Sequence, residues 1–136
     1  MALTVLDAGV VIAFFDANDP HYDAARDALT AATDAQDDLV LPASAYSEVL
    51  VRPFMRGDTA VDRIDGLIDE LPARVEAASR SIAKAAAALR AEHGRTLRLP
   101  DALVLATAAD LGADRVLTTD RGLYTPGLVV DVIGGA

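Results

Sequence analysis

The stretch "LRLPDALVLATAADLGADRVLTTD", Leu97–Asp120, decides how this chain folds. From Leu99 to Gly112 alanine, leucine and valine dominate for a full helix's length. A glycine just past such a run is a common helix stop. "DRVLTTD" then reads as a strand, because valine and threonine favour the pleated conformation. A buried helix leading straight into a strand is the connecting unit of a parallel sheet. One acid, Asp101, stands at the start of the apolar helix, and another, Asp120, follows the strand. Acids favour helix starts and turns, so each alone has an ordinary explanation.

The rest of the chain repeats the alternation. Leu3–Leu6 is a short apolar strand, and "AGVVIAFFD" a short helix. Asp19 and Pro20 read as the cap and first residue of a second helix, whose apolar face carries Ala24, Ala25, Ala28, Leu29 and Ala32. "DDLVLP" is a strand closed by Pro42, followed by a helix, "ASAYSEVLVRPFMRG", broken near Pro53 and stopped by Gly57. Asp58 is expected to cap "DTAVDRIDGLIDEL", with Val61, Ile64, Leu67, Ile68 and Leu71 along one face. "ARVEAA" is a weaker strand, Ser79 caps a helix closed by Gly94, and "GLVVDVI" is a last strand. Strands alternating with helices give an α/β sandwich with a mostly parallel sheet.

The 136 residues suit one domain, spanning 1–136. There is no cysteine, which excludes disulfides and thiolate metal sites. The N-terminus lacks a basic region and Asp7 interrupts its apolar run, so it reads as mature structure and the protein as cytoplasmic. No uncharged stretch reaches the roughly 18 apolar residues of a membrane span. A net charge of −9 argues against a basic clamp on nucleic acid. It suits a site for divalent cations, or a basic partner protein. The terminal "GGA" lacks the strand–turn–helix setting of a phosphate loop.

Most of the 21 acids read as surface, among them Asp37, Asp38, Asp62, Asp65, Asp69 and Glu70. Asp16 and Asp19 read as caps. Four acids are placed differently. Asp7 follows the first strand, Glu48 sits early in the helix after the second, Asp101 starts the apolar helix, and Asp120 follows the "RVLTT" strand. In a parallel sheet, strand ends and the helix starts beside them share one edge, where ligand sites form. Asp114 begins its strand and so belongs to the opposite edge. His21 and His93 have no ligand-spaced partner and read as surface residues. Arg52, Arg56, Arg95, Arg98 and Arg121 lie near the proposed edge, within reach of phosphates, with solvated charge as the plainer account.

Converging carboxylates repel, and a cation relieves that repulsion. All-oxygen donors select hard ions, hence Mg²⁺ or Mn²⁺. Such an ion activates water and neutralises charge in phosphodiester hydrolysis.

"VLDAGVVIAFF", "SEVL", "LRLPDALVLATA" and "ADRVLTTDRGLY" together resemble the PIN-domain family, and within it the VapC-type ribonuclease toxins of toxin–antitoxin pairs. The resemblance runs over essentially the whole chain. It implies a three-layer α/β/α sandwich and a Mg²⁺- or Mn²⁺-dependent endoribonuclease. It also implies a homodimer and a cognate antitoxin with a basic C-terminal segment. The family's acids fall on Asp7, Glu48, Asp101 and Asp120, as both metal ligands and catalytic groups, and Thr118 falls where a hydroxyl orients the last acid. Two departures stand out: Ala8 and Gly9 occupy positions where the family shows serine or threonine, and Tyr124 stands where phenylalanine is common. The missing hydroxyl keeps open a degenerate scaffold that binds RNA or a protein without cutting. A receiver-like phosphoacceptor domain is a second alternative, although it wants a lysine after a late strand and the only lysine is Lys84.

Overall fold

Gly112 stops the apolar helix in left-handed backbone, at φ 64° and ψ 39°, a conformation glycine adopts without penalty. Three residues later, at Arg115, the chain enters a central strand. The computed structural model describes residues 1–134; Gly135 and Ala136, from the terminal "GGA", lie outside the described residues. In chain order the elements are β1 (Leu3–Leu6), α1 (Ala8–Phe14), α2 (Tyr22–Asp34), β2 (Asp38–Pro42), α3 (Ala43–Arg56) and α4 (Asp58–Glu70). They continue with β3 (Ala73–Glu76), α5 (Arg80–His93), α6 (Leu99–Leu111), β4 (Arg115–Thr118) and β5 (Val130–Val132).

The described strands form one sheet in the order β3-β2-β1-β4-β5, and every pairing is parallel. Parallel crossovers are right-handed. The steps β1→β2→β3 go one way, so α1–α4 cover one face. The step β3→β4 returns past β1, so α5 and α6 cover the other. Helix contacts agree: α5 packs on α6, while α1 meets α2 and α3, and α3 meets α4. This is the expected three-layer α/β/α sandwich. Its strand order sets aside the receiver-like alternative, whose sheet runs 2-1-3-4-5.

The core lies on both faces of the central strands. Val5, Leu6, Val40, Leu41, Val116 and Leu117 are all essentially inaccessible to solvent. Helix α6 buries residues around its whole circumference, from Ala102 through Val104–Ala108, because sheet, α5 and α3 surround it. That explains its lack of a polar face.

Some boundaries differ from the sequence reading. Helix α3 runs unbroken through Pro53. The proline lies in the last turn, so it removes a single intrahelical bond, and the Gly57 N–H still reaches the Pro53 carbonyl. Asp58 is the first residue of α4 rather than its cap, which is Gly57 at φ 119°. Helix α2 starts at Tyr22, not Pro20. Asp19 instead accepts the His21 N–H at 2.8 Å, closing the preceding turn. His93 is tied in rather than free, with Nε2 3.3 Å from Thr125 Oγ1.

Asp37 is the largest correction. Its side chain is only 4% exposed, and it knots the opposite edge of the sheet. It accepts the Ala2 N–H at 3.1 Å, the Thr4 hydroxyl at 3.2 Å and the Arg115 guanidinium at 3.0 Å. The Ala2 N–H foremost, then Arg115 and Thr4, hold this carboxyl below the usual carboxylate range despite its covering. The knot joins the starts of β1, β2 and β4. Asp114 adds to it by accepting the Leu3 N–H at 2.7 Å, which places Asp114 at this edge as expected. A lowered folded-state pKa gives stability that is present above the ordinary carboxylate range and lost as pH falls through the folded value. Asp37→Asn is expected to cost about 1–3 kcal/mol at pH 7. In urea denaturation that deficit should shrink as the pH falls below about 4; a deficit independent of pH would show that charge is not its source.

Candidate functional site

Helix α6 immediately precedes β4, so it must begin at the edge where β4 ends. This places Asp101 beside the C-terminal ends of the strands. The sheet reverses its winding between β1 and β4, and the crevice at such a switch point is where open α/β sheets bind ligands. Asp7 follows β1 and Asp120 follows β4, so both flank that crevice. Glu48 enters from α3, which starts as β2 ends.

Asp7 is the best-anchored of the four. One carboxylate oxygen accepts the Ala8 N–H at 2.9 Å and so caps α1. The other accepts the Thr118 hydroxyl at 2.7 Å. Thr118 is fully buried, and its oxygen also accepts the Asp120 N–H at 3.0 Å. One hydroxyl thus ties the first acid to the backbone of the last. Asp120 in turn accepts the Gly122 N–H at 2.8 Å, the turn role its sequence suggested. Asp101 behaves otherwise. The cap residue of α6 is Arg98, and Asp101 lies in the first turn with no side-chain capping bond of the helix. Capping therefore does not account for this acid.

The electrostatics join all four. Burial foremost raises the pKa of Asp7, opposed by the Thr118 and Ala8 hydrogen bonds and reinforced by the charge of Asp120. Burial also raises Glu48, with Asp7 and Asp101 adding to it. Asp101 is raised by burial, then by Asp7 and Asp120, with Arg98 opposing. Every one of the four therefore feels, or is felt by, at least one other. Asp114 and Asp37 take no part in this set.

The donor set is chemically suited to a hard divalent ion: four carboxylates, no thiolate and no imidazole. No three described acid or histidine side chains are gathered tightly enough to form a ready-made cage. Mg²⁺ is commonly bound through only one or two carboxylates and several waters, so the donor chemistry fits without such a cage. The Ser44 hydroxyl, one turn before Glu48, is buried without a hydrogen-bond partner among the described residues.

A cleft of about 330 Å³ opens from Glu48 along α3. Asp16 and Asp19 stand on one wall, with Arg52 and Arg56 on another. Glu48, Arg52 and Arg56 are spaced by four, so they share one face of the helix. Neither arginine is in an ion pair among the described residues. In sequence Asp16 and Asp19 read only as caps flanking a turn. They do shape one, since Asp16 accepts the Asn18 N–H at 3.0 Å, but the fold also puts them in this cleft. No local signal could have shown that, because α3 and α4 supply the opposite walls.

Among curated proteins no match is found. The fold is similar to that of several solved structures. Mycobacterium tuberculosis VapC20, described as a sarcin–ricin loop cleaving toxin, superposes with a TM-score of 0.74 at 19% identity, over 93% of this chain and 96% of that one. A toxin–antitoxin complex from Klebsiella pneumoniae gives 0.67 at 24% identity, over 93% and 99%. VapBC2 from Rickettsia felis, bound to a DNA fragment from its promoter, gives 0.77 at 12% identity, over 96% and 98%. The model of the PIN domain matches residues 4–127, a span that holds Asp7, Glu48, Asp101 and Asp120 together with the strands and helices that bring them to one edge. By that match the chain belongs to the PIN-domain family.

Proposed function

We propose that this protein is a metal-dependent endoribonuclease, a VapC-type toxin restrained by a cognate antitoxin. The observation that carries the reading is the placement of Asp7 and Asp120 after β1 and β4, with Asp101 in the first turn of α6 and Glu48 on α3 at the same edge; burial first, and then the charges of their neighbours, raise the pKa of Asp7, Glu48 and Asp101 there. Keeping such a set costs stability, so it is expected only where it has work to do. These four acids would hold Mg²⁺ or Mn²⁺. When bound, the ion supplies Lewis acidity that makes water nucleophilic and offsets charge on the phosphate.

The chain's own residues divide the remaining tasks. Thr118 fixes the rotamer of Asp7 and the course of the loop carrying Asp120. Arg52 and Arg56 offer guanidinium forks to RNA phosphates beside the acids. This gives a protein of charge −9 a local hold on a polyanion. The net charge in turn favours an antitoxin with a basic segment. Val51, Phe54 and Met55 expose 56%, 61% and 81% of their surface on α3, which suits a protein partner or a second copy of the chain. The toxin–antitoxin complexes among the structural neighbours support the same reading.

Three outcomes test it. Asp7→Asn and Asp101→Asn are each expected to lower Mn²⁺-dependent RNA cleavage by about 100-fold or more, and chelator should abolish it; variants that cut like the parent would contradict the assignment. The raised pKa values predict an opposite effect on stability. A carboxyl raised in the folded state makes the fold most stable at low pH and less so as pH rises through the folded value. Metal-free Asp101→Asn should therefore melt roughly 2 °C above the parent at pH 7. Saturating Mn²⁺ should reverse the order, since 100 times Kd adds about 2.7 kcal/mol to a protein that binds it. A variant that melts below the parent without metal would count against the repulsion. Finally, Arg52→Ala/Arg56→Ala should raise KM with kcat retained and reduce the salt slope of RNA binding by roughly 0.7 per lost phosphate contact. An unchanged slope would place the RNA elsewhere.

A further inference from the structure

The cleft that opens from Glu48 has walls of opposite charge. Asp16 and Asp19 stand on one and Arg52 and Arg56 on another, while Ile12, Phe15 and Ile64 complete it with apolar surface. Each acid commits one oxygen to its own turn. Asp16 Oδ1 accepts the Asn18 N–H at 3.0 Å, and Asp19 Oδ1 accepts the His21 N–H at 2.8 Å. The second oxygen of each has no hydrogen-bond partner among the described residues. The two arginines form no ion pair there either, so the facing charges do not neutralise each other across the cleft. The cavity, about 330 Å³, is of the size that small ligands occupy. It joins the acid site through Glu48, which lines it and is reached by the charges of Asp7 and Asp101.

This combination narrows the occupant. A basic segment meets two guanidiniums, and an acidic one meets three carboxylates, Glu48 included. A wholly apolar ligand leaves both sets of charges without partners. What fits is a ligand with N–H donors at one end, a flat apolar body and an anion at the other. A nucleotide of a single strand has that composition, because unpaired bases stack on aromatic side chains and bond through their Watson–Crick edges. Carboxylates only accept hydrogen bonds. Guanine alone sets two donors side by side on that edge, its ring N–H and its exocyclic amino group. Adenine, cytosine and uracil each set an acceptor beside the donor, which a carboxylate repels.

We infer that this cleft is a guanosine subsite: Asp16 and Asp19 accept the Watson–Crick donors of one unpaired guanine, Phe15 gives it apolar surface, and Arg52 and Arg56 hold the phosphate beside it. The inference rests on RNA being the substrate, as proposed above, and adds the base that is read. Asp16 and Asp19 are specificity residues, which touch the base and not the reacting phosphate.

The test is fluorescence anisotropy of labelled oligouridines binding to the full chain with chelator present, so that no cleavage intervenes. One uridine is replaced by guanosine, inosine, 7-deazaguanosine or adenosine. The guanosine oligomer is expected to bind about tenfold tighter than the inosine one, which lacks the exocyclic amino group. Adenosine should bind no better than uridine, and 7-deazaguanosine, altered only on the opposite edge, should equal guanosine. In Asp16→Asn/Asp19→Asn the preference for guanosine over inosine should vanish while oligouridine binding persists. Asparagine keeps an oxygen for the Asn18 and His21 N–H groups, so the turn survives and the change is confined to the other atom, now a donor. Equal binding of the guanosine and inosine oligomers by the parent would overturn the inference, whether or not any variant folds. So would a preference that survives in Asp16→Asn/Asp19→Asn, which would seat the guanine elsewhere. A basic amphipathic peptide that binds the parent, loses affinity in the same variant and leaves RNA binding undisturbed would give the cleft to a protein partner instead. Failure of the nuclease reading looks different. Guanosine preference without Mn²⁺-dependent cleavage would keep the subsite and remove the metal chemistry, and a parent that binds no RNA at all would overturn both.

Discussion

The hydroxyl of Thr118, donated to Asp7 across 2.7 Å, is the contact on which the site depends. It spans the junction between β1 and β4, where the sheet reverses its winding. It also receives the N–H of Asp120, so a single buried atom sets two of the four acids relative to each other. Everything around it is arranged to keep that junction closed. The Asp7 N–H bonds to the Leu117 carbonyl at 2.9 Å, extending the β1–β4 ladder to its last residue. At the far end of the same strands, Arg115 and Asp37 fix the opposite edge. A sheet held at both ends presents these acids on a rigid frame.

The two edges of the sheet illustrate opposite uses of a carboxylate. Asp37 is surrounded by donors and its charge stabilises the fold. Asp7 and Asp101 are half-buried and Glu48 more exposed, each within reach of another's charge, and their charges oppose it. The same residue type thus strengthens the scaffold at one edge and strains it at the other. The difference lies in the partners supplied, since burial raises the pKa at both places.

Much of this was legible in the sequence. Alternating apolar runs and punctuating glycines give the order of helices and strands, and from that order the edge of the sheet beside which Asp7, Asp101 and Asp120 lie, with Glu48 on the helix that starts there. Ser79 reads as a cap and is one, accepting the Ile82 N–H at 3.2 Å. Other features depend on what lies across the fold. Asp37 reads as a loop acid, because Arg115 and Thr4, which bury it, are distant in sequence. Pro53 reads as a break, because its nearness to the natural end of α3 is set by Gly57 and not by its own chemistry. Gly9 reads as a departure from a family pattern, and only the fold shows Thr119 above it. The apolar helix that begins at Leu99 reads as an acid-capped segment, yet Arg98 occupies the cap and Asp101 is left free of that task.

The central claim is that these four acids share a divalent cation, and anomalous diffraction from crystals soaked in Mn²⁺ addresses it most directly. An anomalous peak is expected at the ends of β1 and β4, beside Asp7 and Asp101, and is expected to be lost in Asp101→Asn. A peak confined to Asp16 and Asp19 along the cleft, or none at any of the four acids under saturating Mn²⁺, would contradict it.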